Sequence, residues 1–364
     1  MVTAFVGLPC QIQALKKANI MLNKFKDTFS IGLFCRENWC YSCMRALVEG
    51  DHGIDLSSVK KFEIKGNSML ISYNREVIEI PLSESRPYVR LCCQVCLDFS
   101  SELSDVSVGS LGSPNGWSTL ILRTDYGIKI VEGAKKEGYI EVRSIKDSGI
   151  RSIRNISREK KEESLKEAKV MEKSGINVPH ILTKDDIDLE DFKYYSKDKN
   201  FSDLEFNVVD NGFCVSCGTC AAICPYDVLE LPNERPRLLK ACPSGCNLCY
   251  LACPRTSFQI PAIEEKIEFA SRIRDEDLGY YAKILAARTK VSSIKGQDGG
   301  VVTSLLMYAL DSGLIESAVT VTHGDMPWKP KATIVKNKIE LLKTSGSIYS
   351  VSTTMQSLRD SFIK

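Results

Sequence analysis

Eight cysteines between Cys214 and Cys253 constrain this chain more than any other feature. They fall in two runs, Cys214-x-x-Cys217-x-x-Cys220-x-x-x-Cys224-Pro225 and Cys242-x-x-x-Cys246-x-x-Cys249-x-x-x-Cys253-Pro254. Such runs hold two cubane 4Fe–4S clusters on four thiolates each, and the cysteine before proline reaches across to the other cluster. The spacing therefore assigns Cys214, Cys217, Cys220 and Cys253 to one cluster, and Cys242, Cys246, Cys249 and Cys224 to the second. Gly218 and Gly245 leave room for backbone amides to approach the sulfides. A structural zinc site needs only four ligands and has no use for two Cys-x-x-x-Cys-Pro endings. Cys242 is the loosest ligand, because three residues separate it from Cys246 where two are usual.

The rest of the chain is the source or sink of the electrons such clusters carry. Its 364 residues suffice for two or three domains, and 48 basic residues against 46 acidic ones give no field that calls for nucleic acid or an anionic membrane. The start, Met1-Val-Thr-Ala-Phe-Val, reads as a strand rather than a signal peptide. No apolar run approaches the ~18 residues of a membrane span. Fifteen cysteines in a chain of this length fit metal-bound thiolates in a reducing compartment better than a secreted disulfide scaffold. The expected location is cytoplasmic, or peripheral to a membrane complex.

In chain order, residues 2–6 read as a buried strand, Gly7-Leu-Pro-Cys10 as a turn and 11–18 as a helix, the α/β opening at which ligands commonly sit. Residues 29–35 form a second strand that ends in Cys35, and a helix runs through Ala46. Alternation over 60–82 predicts a hairpin with Gly66-Asn67 at its turn. Another strand runs from Thr119 to Arg123. Residues 155–173 form a charged helix, read as a solvated connector, and the polar stretch 175–210 reads as a linker. A helix is expected from Leu278 to Arg288, an amphipathic helix from Val301 to Leu310 and a strand from Ile315 to Thr322.

Gly299-Gly300 before the helix at 301 reads either as a phosphate cradle at a helix N-terminus or as an ordinary turn. There is no G-x-G-x-x-G and no P-loop. Outside the double run, Cys93-x-x-Cys96 is a half-site for a cluster or zinc, while Cys10 and Cys35 each follow a strand. They are either ligands of a third metal site or small buried hydrophobes. Cys40 and Cys43 form a further Cys-x-x-Cys, and Cys92 beside Cys93 leaves the register open.

Together these stretches resemble the beta-subunit family of coenzyme F420-reducing hydrogenase, which includes F420H2 dehydrogenase and formate dehydrogenase subunits. The resemblance is carried by Gly7-Leu-Pro-Cys10-Gln-Ile-Gln, Gly32-Leu-Phe-Cys35-Arg36-Glu37-Asn38, Cys93-x-x-Cys96-x-Asp98, the stretch Asp105 to Ser118, and Gln297-Asp298-Gly299-Gly300-Val301-Val-Thr303. It implies an α/β (α+β) flavin domain with an inserted two-cluster ferredoxin-like domain, FAD, a third cluster near the flavin, and coenzyme F420 as substrate. By position, Cys35, Cys93 and Cys96 would hold the flavin-side cluster, with Cys10 as the candidate fourth ligand. Gly299, Gly300, Val301 and Thr303 would line FAD, together with Asn38, Gly109, Gly112, Ser113, Ser347 and Tyr349. Where the family has a lysine between the last two, this chain has Ile348. Arg36, Arg123 and Trp117 are the substrate-side candidates, the arginines for an anionic tail.

The order of the matching pieces is inverted. Residues 1–150 match the later half of the family pattern and 263–364 the earlier half. The charged helix and linker (151–204) and the ferredoxin module (205–262) lie between them. Joining Lys364 to Met1 would restore the family order, which makes the sequence either a circular permutant or a gene cut across a junction. The implied function is hydride exchange with F420 and single-electron transfer to partner subunits or ferredoxin. The alternatives are a ferredoxin-dependent flavin reductase of another organic substrate, and an electron-relay subunit without its own substrate site.

Overall fold

The computed structural model describes residues 2–178, 189–256, 260–271 and 273–362. Its frame is an eight-stranded mixed sheet. Eleven strands matter below: β1 Thr3–Gly7, β2 Thr28–Leu33, β3 Val59–Lys65, β4 Ser68–Tyr73, β5 Glu76–Pro81, β6 Val106–Gly109, β7 Ser118–Leu122, β8 Ile140–Ser144, β9 Lys283–Thr289, β10 Ser317–His323 and β11 Pro330–Val335. The sheet order is β11-β10-β1-β2-β6-β7-β9-β8, and β3-β4-β5 make a separate antiparallel sheet. Strands β10, β1, β2 and β6 are parallel, and the outer strands are antiparallel to their neighbours. β1 lies between β10 and β2, so strands from both ends of the chain pair inside one sheet.

Successive side chains of a strand point to opposite faces, and the core divides accordingly. Ala4, Phe29, Ile31, Val106 and Leu120 face one layer, covered by α2 (Asp125–Lys136) and α4 (Val301–Asp311). Phe5 and Val319 face the other, covered by α1 (Pro9–Leu22), α5 (Thr354–Phe362) and the cysteine-rich segment. Helix α3 (Asp147–Lys173) runs alongside.

Three sequence expectations change. Lys283–Thr289 is a strand, not part of a helix, because it pairs on both sides with β7 and β8. The stretch 175–210 is only partly a linker. Leu189–Tyr195 and Phe201–Leu204 are helical, and Phe201, Leu204 and Val208 are buried beneath the cysteine-rich segment; 179–188 lie outside the described residues. The charged helix starts at Asp147 and is no free connector. Ile153, Ser157, Lys160, Ser164, Ala168 and Met171 recur every three or four residues, and that stripe is buried.

Helix α3 meets the sheet where two glycines touch. A Cβ on Gly149 would lie 2.1 Å from the carbonyl oxygen of Gly112, which is backbone and cannot swing aside. Gly149→Ala should therefore cost about 1–3 kcal/mol in thermal or denaturant unfolding. Gly50→Ala, where no neighbour lies within 4 Å, should be neutral; equal effects would contradict this account.

Candidate functional site

The register places one end of the sheet in common. The C-terminal ends of β1, β2 and β6 (Gly7, Leu33, Gly109) lie on the same edge as the start of β7, because Gly109 pairs with Thr119. The end of β9 joins them, because Ala287 pairs with Ser118. Cys10, Cys35, Asn38, Gly109 and Trp117 all follow or precede these ends, at the edge where an open α/β sheet receives ligands.

Four cysteines from three segments gather there. Burial, above all, pushes the Cys10 thiol well above its ordinary value, and Cys96, Cys35 and Cys93 add to that while Arg255 opposes it. Cys35 is pushed up to about 12, again by burial first, with Cys93 and Cys96 adding and Lys160 opposing. Cys93 is raised by its hydrogen bond with Cys92 and by burial. Cys96 is the exception: burial acts against its thiolate, but Lys160, Arg255 and the Asp98 backbone outweigh it and lower its pKa. Cys92 is 1% exposed within the core beside Cys93.

The sulfurs of the double run lie close to one another. Burial drives the Cys220 thiol well above the usual value, with Cys214, Cys217, Cys253 and, more weakly, Cys249 adding to it. Cys253 is pushed up to about 12 by burial, with Cys217 and Cys214 as its sulfur neighbours. Cys242 senses Cys246 and Cys224, and Cys249 senses Cys246, Cys242 and Cys253, so Cys242 stays near these sulfurs despite the extra residue in Cys242-x-x-x-Cys246. Cys40 and Cys43 are joined by a disulfide and belong to none of these groups.

Among the described residues no three histidine, cysteine or carboxylate side chains converge as one metal ion requires. A cubane gives each of its four thiolates a separate iron. The donor chemistry fits that demand: each group is four sulfurs, and the Cys10/Cys35/Cys93/Cys96 and Cys214/Cys217/Cys220/Cys253 groups are largely withdrawn from water with cationic side chains close by, whereas Cys242 and Cys246 lie nearer the surface.

Those cations are residues that the sequence alone did not mark. Lys160 is 4% exposed, and its ammonium donates to the carbonyls of Cys35 (2.6 Å) and Asp98 (2.7 Å). Arg90 donates to the carbonyls of Cys214 (2.8 Å) and Val215 (3.2 Å) and to the Ser216 hydroxyl (2.7 Å). Arg255, 2% exposed, follows the second Cys-Pro; its Nη2 donates to the Cys92 carbonyl (3.5 Å), and its charge faces Cys96 and Cys10. Lys17, fully buried, donates to the Cys253 carbonyl (2.6 Å) and the Thr256 hydroxyl (2.7 Å). Lys160 carried a signal, since it sits on the buried stripe of α3; the other three did not.

The expected cofactor residues meet at the same edge. Gly299 lies against Ser118, and its N–H donates to the Ser118 hydroxyl (3.2 Å). Gly300 has φ +65° and caps α4. Close packing on Ser118, Ala287 and Thr289 already requires both glycines, so the pair is no diagnostic of phosphate. Thr303 reaches Ser345 at 3.5 Å, two residues before Ser347. Tyr349 is pushed up to about 12 by burial and then by Asp298, and Trp39 bridges Ser350, which brings Asn38 alongside. Gly109 packs under the Phe34 ring, Gly112 against α3, and Ser113 bonds Thr119 at 2.8 Å. Val301 is buried in the layer under α4. Trp117 is held between Arg143 (3.8 Å) and Arg288 (4.7 Å).

Arg123 must be corrected. It lies at the opposite edge of the sheet, just past Leu122, and has no exposed surface. Its guanidinium donates to Ser107, Leu278, Tyr280 and Ser100, which leaves nothing for a ligand. Arg36 remains at the ligand edge, paired with Glu159 (3.6 Å) and Glu163 (3.2 Å) of α3.

A 4Fe-4S binding domain model matches residues 207–230. The molecule is thus an iron–sulfur protein on a mixed α/β sheet. Two further models, described as the coenzyme F420 hydrogenase/dehydrogenase beta subunit, match its C terminus to residues 1–148 and its N-terminal part to residues 284–359. The chain belongs to that family, and the inverted order of the two parts fits a permutation. Among relatives, the coenzyme F420 hydrogenase subunit beta of Methanococcus voltae is 36% identical over 181 residues, which are 48% of this chain and 65% of the relative. The coenzyme F420-dependent sulfite reductase of Methanocaldococcus jannaschii is 41% identical over 147 residues, 40% of this chain and 21% of that protein. A chain of the F420-reducing NiFe hydrogenase complex from Methanosarcina barkeri is 34% identical over 48% of this chain and 63% of its own, with TM-score 0.45. The chain thus spans under two thirds of the hydrogenase subunits it matches. No helix among the described residues is long and apolar enough to cross a membrane.

Behind the Cys96 loop lies a cavity of about 260 Å³ lined by Asp98, Glu102, Lys161, Ile260 and Arg274 among others. Burial first, then Asp98, raises Glu102 from 4.5 to about 7, against Lys161. A carboxyl whose folded pKa is raised contributes stability that is full below about 4.5 and lost as pH rises through about 7. Glu102→Gln should flatten that part of the pH–stability curve. A curve parallel to wild type between pH 4.5 and 7 would contradict it.

For the metal sites, anaerobically loaded protein should hold about 12 irons per chain, and Cys35→Ser or Cys96→Ser should each remove about four. Iron analysis decides; a wild-type value near eight would leave those cysteines as packing residues.

Proposed function

We propose that this chain is an FAD-containing, F420-dependent oxidoreductase subunit, which exchanges hydride with coenzyme F420 and passes single electrons through three 4Fe–4S clusters to a partner subunit or ferredoxin. One observation carries the reading: Cys10, Cys35, Cys93 and Cys96 gather at the ligand edge of the sheet, linked through Arg90 and Arg255 to the Cys214/Cys217/Cys220/Cys253 group. The names of the family and its relatives support F420 as the substrate.

A flavin supplies the conversion between paired and single electrons, which neither a hydride carrier nor a cluster provides alone. The chain's own residues have separate tasks. Segments 38–39, 117–118, 297–303 and 345–350 meet at the sheet edge and form the walls for it. The N-terminal amides of α4 supply donors and a positive dipole toward a phosphate. Trp117 is covered by the guanidinium groups of Arg143 and Arg288, which put positive charge at this edge. Arg36 is the candidate for the anionic tail, a charge-assisted contact.

The test is anaerobic mixing of flavin- and iron-loaded protein with F420H2 and, separately, NADH and NADPH. F420H2 should bleach the flavin and the nicotinamides should not. Arg36→Ala should raise the F420H2 concentration for half-bleaching about tenfold, near 1.4 kcal/mol, with flavin content unchanged. Bleaching by a nicotinamide but not by F420H2 would move the protein to a different substrate class.

A further inference from the structure

Arg255 and Arg90 lie between two groups of cysteines rather than within one. On one side Arg255 Nη2 donates to the Cys92 carbonyl at 3.5 Å, and its charge faces Cys96, Cys10 and Cys92. On the other side its backbone N–H donates to the Cys253 sulfur at 3.4 Å, and Cys217 feels its charge. Its Nε has no hydrogen-bond partner although it is buried, and among the described residues its side chain meets a backbone carbonyl, that of Cys92, and no carboxylate in a salt bridge. Arg90 spans the same gap: it binds the Cys214 and Val215 carbonyls and senses Cys92, Cys93 and Cys10. A buried guanidinium without a carboxylate is costly unless some other negative charge faces it. Here the facing groups are sulfurs.

We propose that Arg255, assisted by Arg90, is the fixed counter-charge between the Cys10/Cys35/Cys93/Cys96 site and the Cys214/Cys217/Cys220/Cys253 site, and that it sets the reduction potentials of both so that an electron passes between them. The proposal rests on the three-cluster reading above. A cubane on four thiolates is net negative and becomes more so on reduction, and net charge and hydrogen bonds to sulfur are what tune its potential. Two such groups in neighbouring buried sites repel, and the repulsion is strong at low dielectric. One guanidinium that faces both lowers the cost of an added electron on either. In the transfer, one site loses one electron and the other gains it; no bond breaks and no proton moves, and arginine suits the task because it does not release its own proton. Lys160 and Lys17 each contact one group, with their ammonium groups on the Cys35 and Cys253 carbonyls, so they bias one site each.

The experiment is an EPR-monitored redox titration, with iron analysis, of wild type, Arg255→Lys, Arg255→Gln and Arg90→Gln. Arg255→Gln with full iron should make reduction of both neighbouring clusters at least tenfold less favourable, about 59 mV for one electron. Arg255→Lys, which keeps the charge, should stay nearer wild type, and the Cys224/Cys242/Cys246/Cys249 cluster should shift less. Full iron with unmoved potentials, or the same shift in the lysine and glutamine variants, would overturn the proposal. If Arg255→Gln takes up no iron, Arg90→Gln decides: a downward shift at both sites supports the role, and none refutes it. A wild-type content near eight irons would instead sink the three-cluster reading, and this proposal with it.

Discussion

Negative charge gathered away from water is the constraint on which the rest of this structure depends. The Cys10/Cys35/Cys93/Cys96 and Cys214/Cys217/Cys220/Cys253 sulfurs sit largely buried, and that burial pushes Cys10, Cys35, Cys220 and Cys253 above the ordinary thiol range. Such an arrangement is sensible only where cations replace the protons, since a metal-bound thiol is deprotonated outright. On the three-cluster reading iron would be one source of positive charge, and the side chains Lys160, Arg255 and Arg90 are another, with Lys17, which burial lowers to about 7, beside Cys253. Their placement explains why a highly charged helix packs against the sheet: Lys160 reaches the Cys35 and Asp98 carbonyls from its buried stripe.

The sheet makes this gathering possible by joining distant parts of the chain. β1 enters between β10 and β2, so the segments matched as C-terminal and N-terminal parts of one family pattern form a single layer whatever their order along the chain. Backbone pairing depends on which strands lie side by side, not on which is made first. Helices α1 and α5, one from each part, then hold the cysteine-rich segment against that layer: Lys17 binds the Cys253 carbonyl, and Met355 N–H donates to the Cys217 carbonyl at 3.0 Å.

Local chemistry was legible wherever a short pattern sufficed. The cysteine runs, the β3–β4–β5 sheet and the turn before α4 are short-range signals. The strand at 283–289 was misread because Leu285-Ala-Ala is compatible with helix, and only pairing with β7 and β8 decided otherwise. Arg123 was misread for a related reason. A charged residue at the end of a strand looks like a ligand contact, and nothing local says on which edge of the sheet it will fall or that four segments will supply its acceptors.

By itself, then, the sequence determined the ligand types, their spacing within each run and the family to which the chain belongs, because these depend on residues near one another. The tertiary structure decided what depends on separation in space. It brought Cys10, Cys35, Cys93 and Cys96 to one edge, withdrew Arg123 to the other, and set Arg255 between two groups of sulfurs. Strand pairing and burial act between segments hundreds of residues apart, and no local pattern encodes which partner a buried charge will meet.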